Sequence, residues 1–470
     1  MLLWESYLGP NHPDVATGLG NLAELLRAQG KYAEAEPLYR RSLSIQEKSL
    51  GLADVSVAIS LNNLGELLRA EERYGEAQPL YERAREIFVA ALGPEHTNVA
   101  ITLGNLAELF RAQGEFKQAE PLYKQAMELT ERALGSNHPN AATLLNNWAE
   151  LLEAHGDYKK AEQLYRQALL IWKQRLGEEH PNVAIALNNL AMCLRSQGRL
   201  HEAEAYCLQA LSIREKAFGT EHPEVATSLN NLGLIYFDQA EYDKSEPLLR
   251  KALALREKEL GPDHPDVARS LNNLAELLRT QRRGVSPEPL YQRALVIWTR
   301  RLGPEHPTVA IVLGNLASLY HEQGQDKKAL RLYQRALDIK EERLGSDHPE
   351  VAAGLMNMAE AWSSMKKYGK AEPALLRALA IRQKAYGPEH INTERTRTLL
   401  ARLYCDEGRY SEAEALLKQV LVTLGKDPDK TPEDIQRCMD DYAILLRRTK
   451  RENEPPGLDG TMAILRNKAH

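Results

Sequence analysis

A glycine returns every 42 residues along this chain: Gly9, Gly51, Gly93, Gly135, Gly177, Gly219, Gly261, Gly303, Gly345 and Gly387. Ten markers at one unbroken spacing mean ten copies of one unit with no insertion between them. A period of this size belongs to a solenoid, where each unit buries its apolar face against its neighbours. The 470 residues could otherwise fill two or three ordinary domains. The repeat replaces that expectation with one elongated core.

Within a unit the sequence reads as two helices. Pro13 suits a first helical position, where a missing N–H costs nothing, and Asp14 sets negative charge at the positive end of the dipole. Val15, Leu19, Leu22 and Leu26 share one helix face. Gln29-Gly30 closes this helix, with glycine free to turn left-handed. Tyr32 leads into a second helix whose inward row is Ala35, Leu38, Tyr39, Ser42 and Leu43. Pro37 falls near its first turn, where proline disturbs least, and the helix runs to Leu50 before Gly51.

Leu22-Ala23, Gly30, Tyr32, Ala35 and Tyr39 stand at the leucine–small, glycine, tyrosine, alanine and aromatic positions of a known unit. The chain thereby resembles the tetratricopeptide repeat, whose usual length is roughly 34 residues. The extra length lies in a longer second helix and a Gly-x-x-His-Pro connection, a form similar to the repeat of kinesin light chains. The resemblance implies an all-α fold: an α-α superhelix, a tetratricopeptide-repeat solenoid of about ten helix-turn-helix units and about twenty-two helices. The expected partition is a partial second helix over 1–8, ten repeats over 9–429, a closing helix over 430–450 and a tail of doubtful order over 451–470. Leu2 to Gly9 aligns with Leu170 to Gly177, so the first repeat is incomplete and no polar cap precedes it. Either further sequence precedes it, or the uncapped end docks on something, including end-to-end on itself.

Composition excludes several classes. With 60 basic and 65 acidic residues the net charge is −5, against the basic footprint that nucleic acid demands. No apolar run reaches the roughly 18 residues of a membrane helix, and MLLW is too short for a secretory core. Four cysteines without a C-x-x-C pattern suggest a reducing compartment and a cytoplasmic location. Cys193 and Cys207, the latter standing where Tyr39 stands, read as packing residues.

The copies are not identical. Copy two has Asp54-Val55 in place of His-Pro. In copy seven Gly284 replaces the tyrosine and Pro287 the close-packing alanine, so Ser286 is expected to cap a second helix that starts late. Copy ten has Leu399 where other copies carry asparagine.

Nothing in the chain carries a catalytic constellation or a cofactor motif. His12, His96, His138, His180, His222, His264, His306, His348 and His390 recur in the inter-repeat loop. Equivalent loops stand about 8–10 Å apart in a stack, too far to share a metal ion, so a loop-packing role is expected. Gly18 to Ala23 fits a dinucleotide fingerprint as a string but lies mid-helix with no strand before it. Arg447, Arg448, Lys450 and Arg451 read as solvated charge at a helix end, with a contact to an acidic partner as the functional alternative.

One constellation remains. Asparagine stands twelve residues after the marker in nine copies: Asn21, Asn63, Asn105, Asn147, Asn189, Asn231, Asn273, Asn315 and Asn357. A second one precedes it at Asn62, Asn146, Asn188, Asn230 and Asn272. Glu24, Glu66, Glu108, Glu150, Glu276 and Glu360 follow one turn on, then Arg27, Arg69, Arg111, Arg195 and Arg279. Asparagine is a poor interior helix residue, so its recurrence needs a cause. In the family this side of the first helix lines the concave groove, which implies that the amides grip an extended peptide backbone while the arginines select acidic segments. The other cause open to them is bracing: amides hydrogen-bonded to neighbouring helices. The reading is a non-enzymatic scaffold or adaptor for protein partners, with kinesin-light-chain-like cargo binding as one version. The heptad coiled coil of such light chains is not in this sequence. The alternative is the sensor or autoinhibitory arm of a larger signalling enzyme.

Overall fold

The computed structural model describes residues 7–28, 31–71, 73–113, 115–282, 285–425 and 432–451. Among them are twenty-one helices and no strand. The chain divides into two compact units, 1–304 and 305–470. The first holds α1 (Pro13–Ala28), α2 (Tyr32–Leu50), α3 (Val55–Ala70), α4 (Tyr74–Leu92), α5 (Thr97–Ala112), α6 (Phe116–Leu134), α7 (Pro139–Ala154) and α8 (Tyr158–Leu176). It continues with α9 (Pro181–Ser196), α10 (Leu200–Phe218), α11 (Pro223–Asp238), α12 (Tyr242–Leu260), α13 (Pro265–Gln281) and α14 (Glu288–Leu302). The second unit holds α15 (Pro307–Glu322), α16 (Asp326–Leu344), α17 (Pro349–Ser364), α18 (Tyr368–Tyr386), α19 (Ile391–Glu407), α20 (Tyr410–Leu424) and α21 (Pro432–Arg448).

The marker glycine has a physical cause. Gly51 ends α2 at φ 92, ψ 159, a backbone region essentially closed to residues with a Cβ, and the later markers repeat it. Three residues on, each recurrent histidine starts the next helix. His96 Nδ1 accepts from Asn98 N at 3.1 Å and His222 Nδ1 from Glu224 N at 3.1 Å, and all nine do the same. The loop histidines are therefore helix N-caps, each satisfying a donor that the helix leaves open. Copy two confirms the logic: Asp54 sits at the same place and its Oδ1 accepts from Ser56 N at 2.8 Å.

Three local expectations need correction. Pro37 lies inside α2, in its second turn, as Pro79, Pro121, Pro247 and Pro373 do in theirs. All five are exposed, where water can serve the carbonyl that loses its partner. The second helix of copy seven does start late, at Glu288, but Ser286 does not cap it. Pro287 takes the cap position with no side-chain bond. Pro289 has no N–H to offer, and Leu290 N and Tyr291 N bond to Pro287 O at 3.1 and 3.2 Å. Leu22 is 37% exposed, whereas Leu64 and Leu106 at its position are buried against a preceding copy. Gln29, Gly30 and Gly284 lie outside the described residues.

The core is a row of small and aromatic side chains. Ala161, Tyr165 and Ala168 of α8 are fully buried, as are Ala77, Tyr81 and Ala84 of α4. In the second unit Ile435, Cys438, Tyr442 and Leu445 of α21 join the same cluster as Leu417 and Leu421 of α20.

Candidate functional site

The glutamate and arginine of each first helix meet a tyrosine of the second. In copy one the Tyr39 hydroxyl donates to Glu24 Oε2 at 2.6 Å, and Arg27 Nε donates to the same oxygen at 3.0 Å. Copy three repeats this with Tyr123 at 2.7 Å and Arg111 Nε at 3.0 Å on Glu108 Oε2. Copy seven does so with Tyr291 at 2.7 Å and Arg279 Nε at 3.2 Å on Glu276 Oε2. We call such a trio a closed station. The Arg27 guanidinium holds the Glu24 carboxyl below its usual range. Burial would push Glu108 up, but Arg111 outweighs it and holds it low. In the first three copies the arginine also reaches the next copy: Arg27 to Glu66 at 3.6 Å, Arg69 to Glu108 at 3.5 Å and Arg111 to Glu150 at 3.2 Å.

The exceptions follow from single residues. In copy two Gly65 replaces alanine, and a Cβ there would lie 2.8 Å from the Tyr81 ring. The ring packs into that gap, and among the described residues its buried hydroxyl makes no bond to Glu66 and lies beside Arg69 instead. In copy four Glu153 takes the arginine position. Burial pushes its carboxyl up to about 7, with the Tyr165 hydroxyl at 3.0 Å opposing and Glu150 adding to the shift. Copy five has no glutamate there, and Arg195 turns to Asp238 of copy six through two bonds of 2.6 and 3.2 Å.

In the second unit the stations change character. Copy eight pairs Ser318 Oγ with the Tyr333 hydroxyl at 2.8 Å, and His321 Nδ1 bonds Asp326. Copy nine keeps Glu360 but has Ser363 for the arginine and Leu375 for the tyrosine. Copy ten has Arg402, bound to Asp441 of α21 by two bonds of 3.1 and 2.9 Å. Around Glu360 opens a cleft of about 350 Å3, lined by residues of α15, α17, α18 and α19.

The asparagines divide by position. The first of each pair points into the stack: Asn62, Asn146, Asn188, Asn230 and Asn272 are between 2 and 8% exposed. Asn62 Nδ2 donates to Thr102 Oγ1 at 2.9 Å, Asn188 Nδ2 to Ser228 Oγ at 2.8 Å, and Asn146 Nδ2 to Glu150 Oε1 at 3.2 Å. Of the second row, Asn105 bonds Glu66 at 3.3 Å, Asn189 bonds Asn146 and Glu150 at 3.1 and 2.9 Å, and Asn273 bonds Asn230 at 3.0 Å. Asn147 and Asn231 receive long contacts of 3.4 Å from their own neighbours. Asn21 is exposed; Asn63, Asn315 and Asn357 are half-buried. Among the described residues the side chains of Asn63 and Asn357 make no hydrogen bond.

Sequence reasoning missed two functions that its own spacings carried. The tyrosine fifteen residues after each glutamate was visible, but only the fold shows them touching. The histidine caps had their signal in copy two, where aspartate substitutes at the same place. All four cysteines are free and buried, with Cys207 0% exposed and its thiol pushed up to about 12 by burial. Among the described residues no helix is long and apolar enough to cross a membrane, and no three His, Cys, Asp or Glu side chains group as metal ligands.

Paired helices of one 42-residue period, closed by a recurring station, define an all-α repeat solenoid. The chain belongs to the tetratricopeptide repeat family. The family's repeat model matches residues 1–48, 56–132, 105–174, 140–206, 182–258, 224–283, 288–342 and 343–421, and a second model of that repeat matches 267–308. Among solved structures it is similar to a Rap protein complexed with competence and sporulation factor. That match has 16% identity and a TM-score of 0.57 over 80% of this chain and 99% of that one. BtubC (BKLC) from P. vanneervenii matches at 27% identity and TM-score 0.40, over 50% of this chain and 93% of that one. A Podosopora anserina array of nearly identical kinesin-light-chain-type repeats matches at 24% identity and TM-score 0.27, over 53% and 98%. No curated protein matches.

Proposed function

We propose that this chain is a non-enzymatic interaction scaffold, an adaptor that holds peptide segments of partner proteins along the polar face of its first helices. Kinesin-light-chain-like cargo binding is one version of that role. The carrying observation is the amide row, with Asn63 and Asn357 half-exposed and making no hydrogen bond of their own. An amide offers donors and acceptors together, which suits an extended backbone. Repeat proteins of this family commonly serve as interaction scaffolds, and the similar Rap structure is itself a complex with competence and sporulation factor. Arg27, Arg69, Arg111, Arg195 and Arg279 face carboxylates of this chain, so acidic partner residues would bind them only by exchange. Leu22 and Leu25, 37 and 55% exposed on α1, are the apolar surface that end-to-end association would use.

The test uses peptides selected from a displayed heptapeptide library on the wild-type protein. Asn63→Ala and Asn357→Ala, each alone, should weaken the peptides each site holds by about two- to twelvefold, a neutral hydrogen bond's worth, at unchanged melting temperature. Asn189→Ala with Asn231→Ala should lower melting temperature as well, because Asn189 braces its neighbours. Unchanged affinity in all of these would move the binding surface to another face.

A further inference from the structure

Glu108 shows all that a glutamate at this position can hold: a tyrosine hydroxyl, the guanidinium of its own copy and the guanidinium of the copy before. Glu360 has lost all three. Leu375 stands for the tyrosine and Ser363 for its own arginine. The residue that would reach across from copy eight is His321, which is bound to Asp326. Among the described residues the Glu360 carboxylate makes no hydrogen bond and no ion pair. What the missing side chains leave is space, the cleft of about 350 Å3.

The charges around that space cancel in pairs, except one. Arg402 gives its Nε and Nη2 to Asp441, Asp406 accepts from Arg448 at 2.9 Å, and His321 faces Asp326. Glu360 has no paired cation of its own among the described residues, although Arg402 lies near it. Solvent reaches it through the mouth of the cleft, yet the protein crowded around it raises its carboxyl above the usual range, with Arg402 the main opposing influence. Beside it the wall is aliphatic, from Leu375, Leu399 and Leu403. The volume lies at the small end of ligand pockets, room for one side chain rather than a large molecule.

We propose that this cleft binds an arginine side chain of a partner peptide, its guanidinium lying beside Glu360 as Arg111 lies beside Glu108. The planar fork takes both carboxylate oxygens at once, which a lysine ammonium cannot do. The methylene stem lies on the leucine wall, as long cationic side chains do on apolar surface. The assignment rests on the reading that partner segments run along the first helices, and it gives that reading a basic residue as its anchor in the second unit.

Calorimetry on the full chain tests it with three heptapeptides, Gly-Ala-Ala-X-Ala-Ala-Gly, where X is arginine, citrulline or lysine, and with N-acetyl-arginine N-methylamide. The arginine peptide should bind about tenfold or more tighter than the citrulline and lysine versions, and Glu360→Gln should remove that preference. Ser363→Arg with Leu375→Tyr rebuilds a closed station inside the cleft; it should abolish arginine binding while raising the melting temperature. Should that pair not fold, Ser363→Arg alone supplies the same block. Equal binding of arginine and citrulline peptides, or arginine binding that survives the rebuilt station, overturns the proposal. So does equal binding of lysine, or an absence of binding by every arginine probe. Library peptides that bind without an arginine preference would leave the groove standing and remove only this site. Capped arginine bound without any peptide would overturn the partner-peptide assignment in favour of a free amino acid.

Discussion

Copies three and nine place a glutamate at the same point of the same helix, yet the two carboxylates live in different chemistry. Glu108 is 7% exposed and held by Arg111 and Tyr123. Glu360 is exposed, with Ser363 and Leu375 where those partners would stand. Two substitutions, neither of them at the glutamate, turn a structural bond into an open cleft. What a repeat residue does is thus decided by the residues three and fifteen positions later.

The largest expected effect separates the two copies directly. Arg111→Ala leaves Glu108 buried without its nearest cation and should cost about 3 kcal/mol, the scale of breaking a buried pair. Glu360→Ala should change stability by no more than about 0.5 kcal/mol, as for an unpaired surface group. Denaturant titrations that gave equal costs would erase the distinction between closed and open stations.

Copy four lies between these extremes, and pH exposes it. The folded chain holds Glu153's proton more tightly than the unfolded chain, with its carboxyl at about 7. Stability from that proton is complete below the ordinary carboxyl range and is lost as pH rises to 7. Glu153→Gln keeps the neutral form at every pH. It should therefore match wild type near pH 4 and gain about 1–3 kcal/mol by pH 8. A gain that did not depend on pH would mean that charge is not the cause.

The wall of the cleft should respond to acid in the opposite sense. His390 caps α19 through Nδ1, and burial, with Arg382 and Arg395 nearby, holds its pKa below the usual range. Its contribution is present above the ordinary histidine range and is lost as pH falls through the lowered value, because the protonated ring cannot accept. His390→Asn keeps an acceptor without titrating. It should remove part of the stability lost on acidification, about 1 kcal/mol. An unchanged acid response would place the titrating group elsewhere.

The smallest effect concerns copy seven, whose station is closed although its second helix is 15 residues long against the usual 19. Hydrogen exchange should be faster over 281–289 than in copies five or nine, while the amide of Tyr291 stays protected. Uniform protection across these copies would show that the short helix carries no local weakness.

Much of this was legible in the sequence. The marker glycines, the helix pairs and the tetratricopeptide family follow from one period and a few spacings, because each unit can be buried only by its neighbours. The asparagine and arginine rows were legible as rows but not as roles. Asn188 and Asn63 occupy nearly the same turn, yet one side chain is bonded to Ser228 of the next copy and the other makes no hydrogen bond among the described residues. Whether Arg195 is free depends on Asp238, 43 residues away, a pairing that no local pattern announces. The cap at Pro287 was misread because Pro289 removes the donor that Ser286 would have served.

The copy-to-copy arginine bridges also bear on how such a chain finds its register. Ten nearly interchangeable units invite a second helix to dock on the wrong first helix, a characteristic failure of repeat proteins. The stations differ where the core rows do not. Arg111 meets a carboxylate in copy four, Arg195 finds its own only at Asp238, and Arg402 finds its own only on α21. A slip of one copy would put Thr280 where Arg195 now finds Asp238. The charged stations act as address labels, so that units alike enough to stack in any order stack in only one.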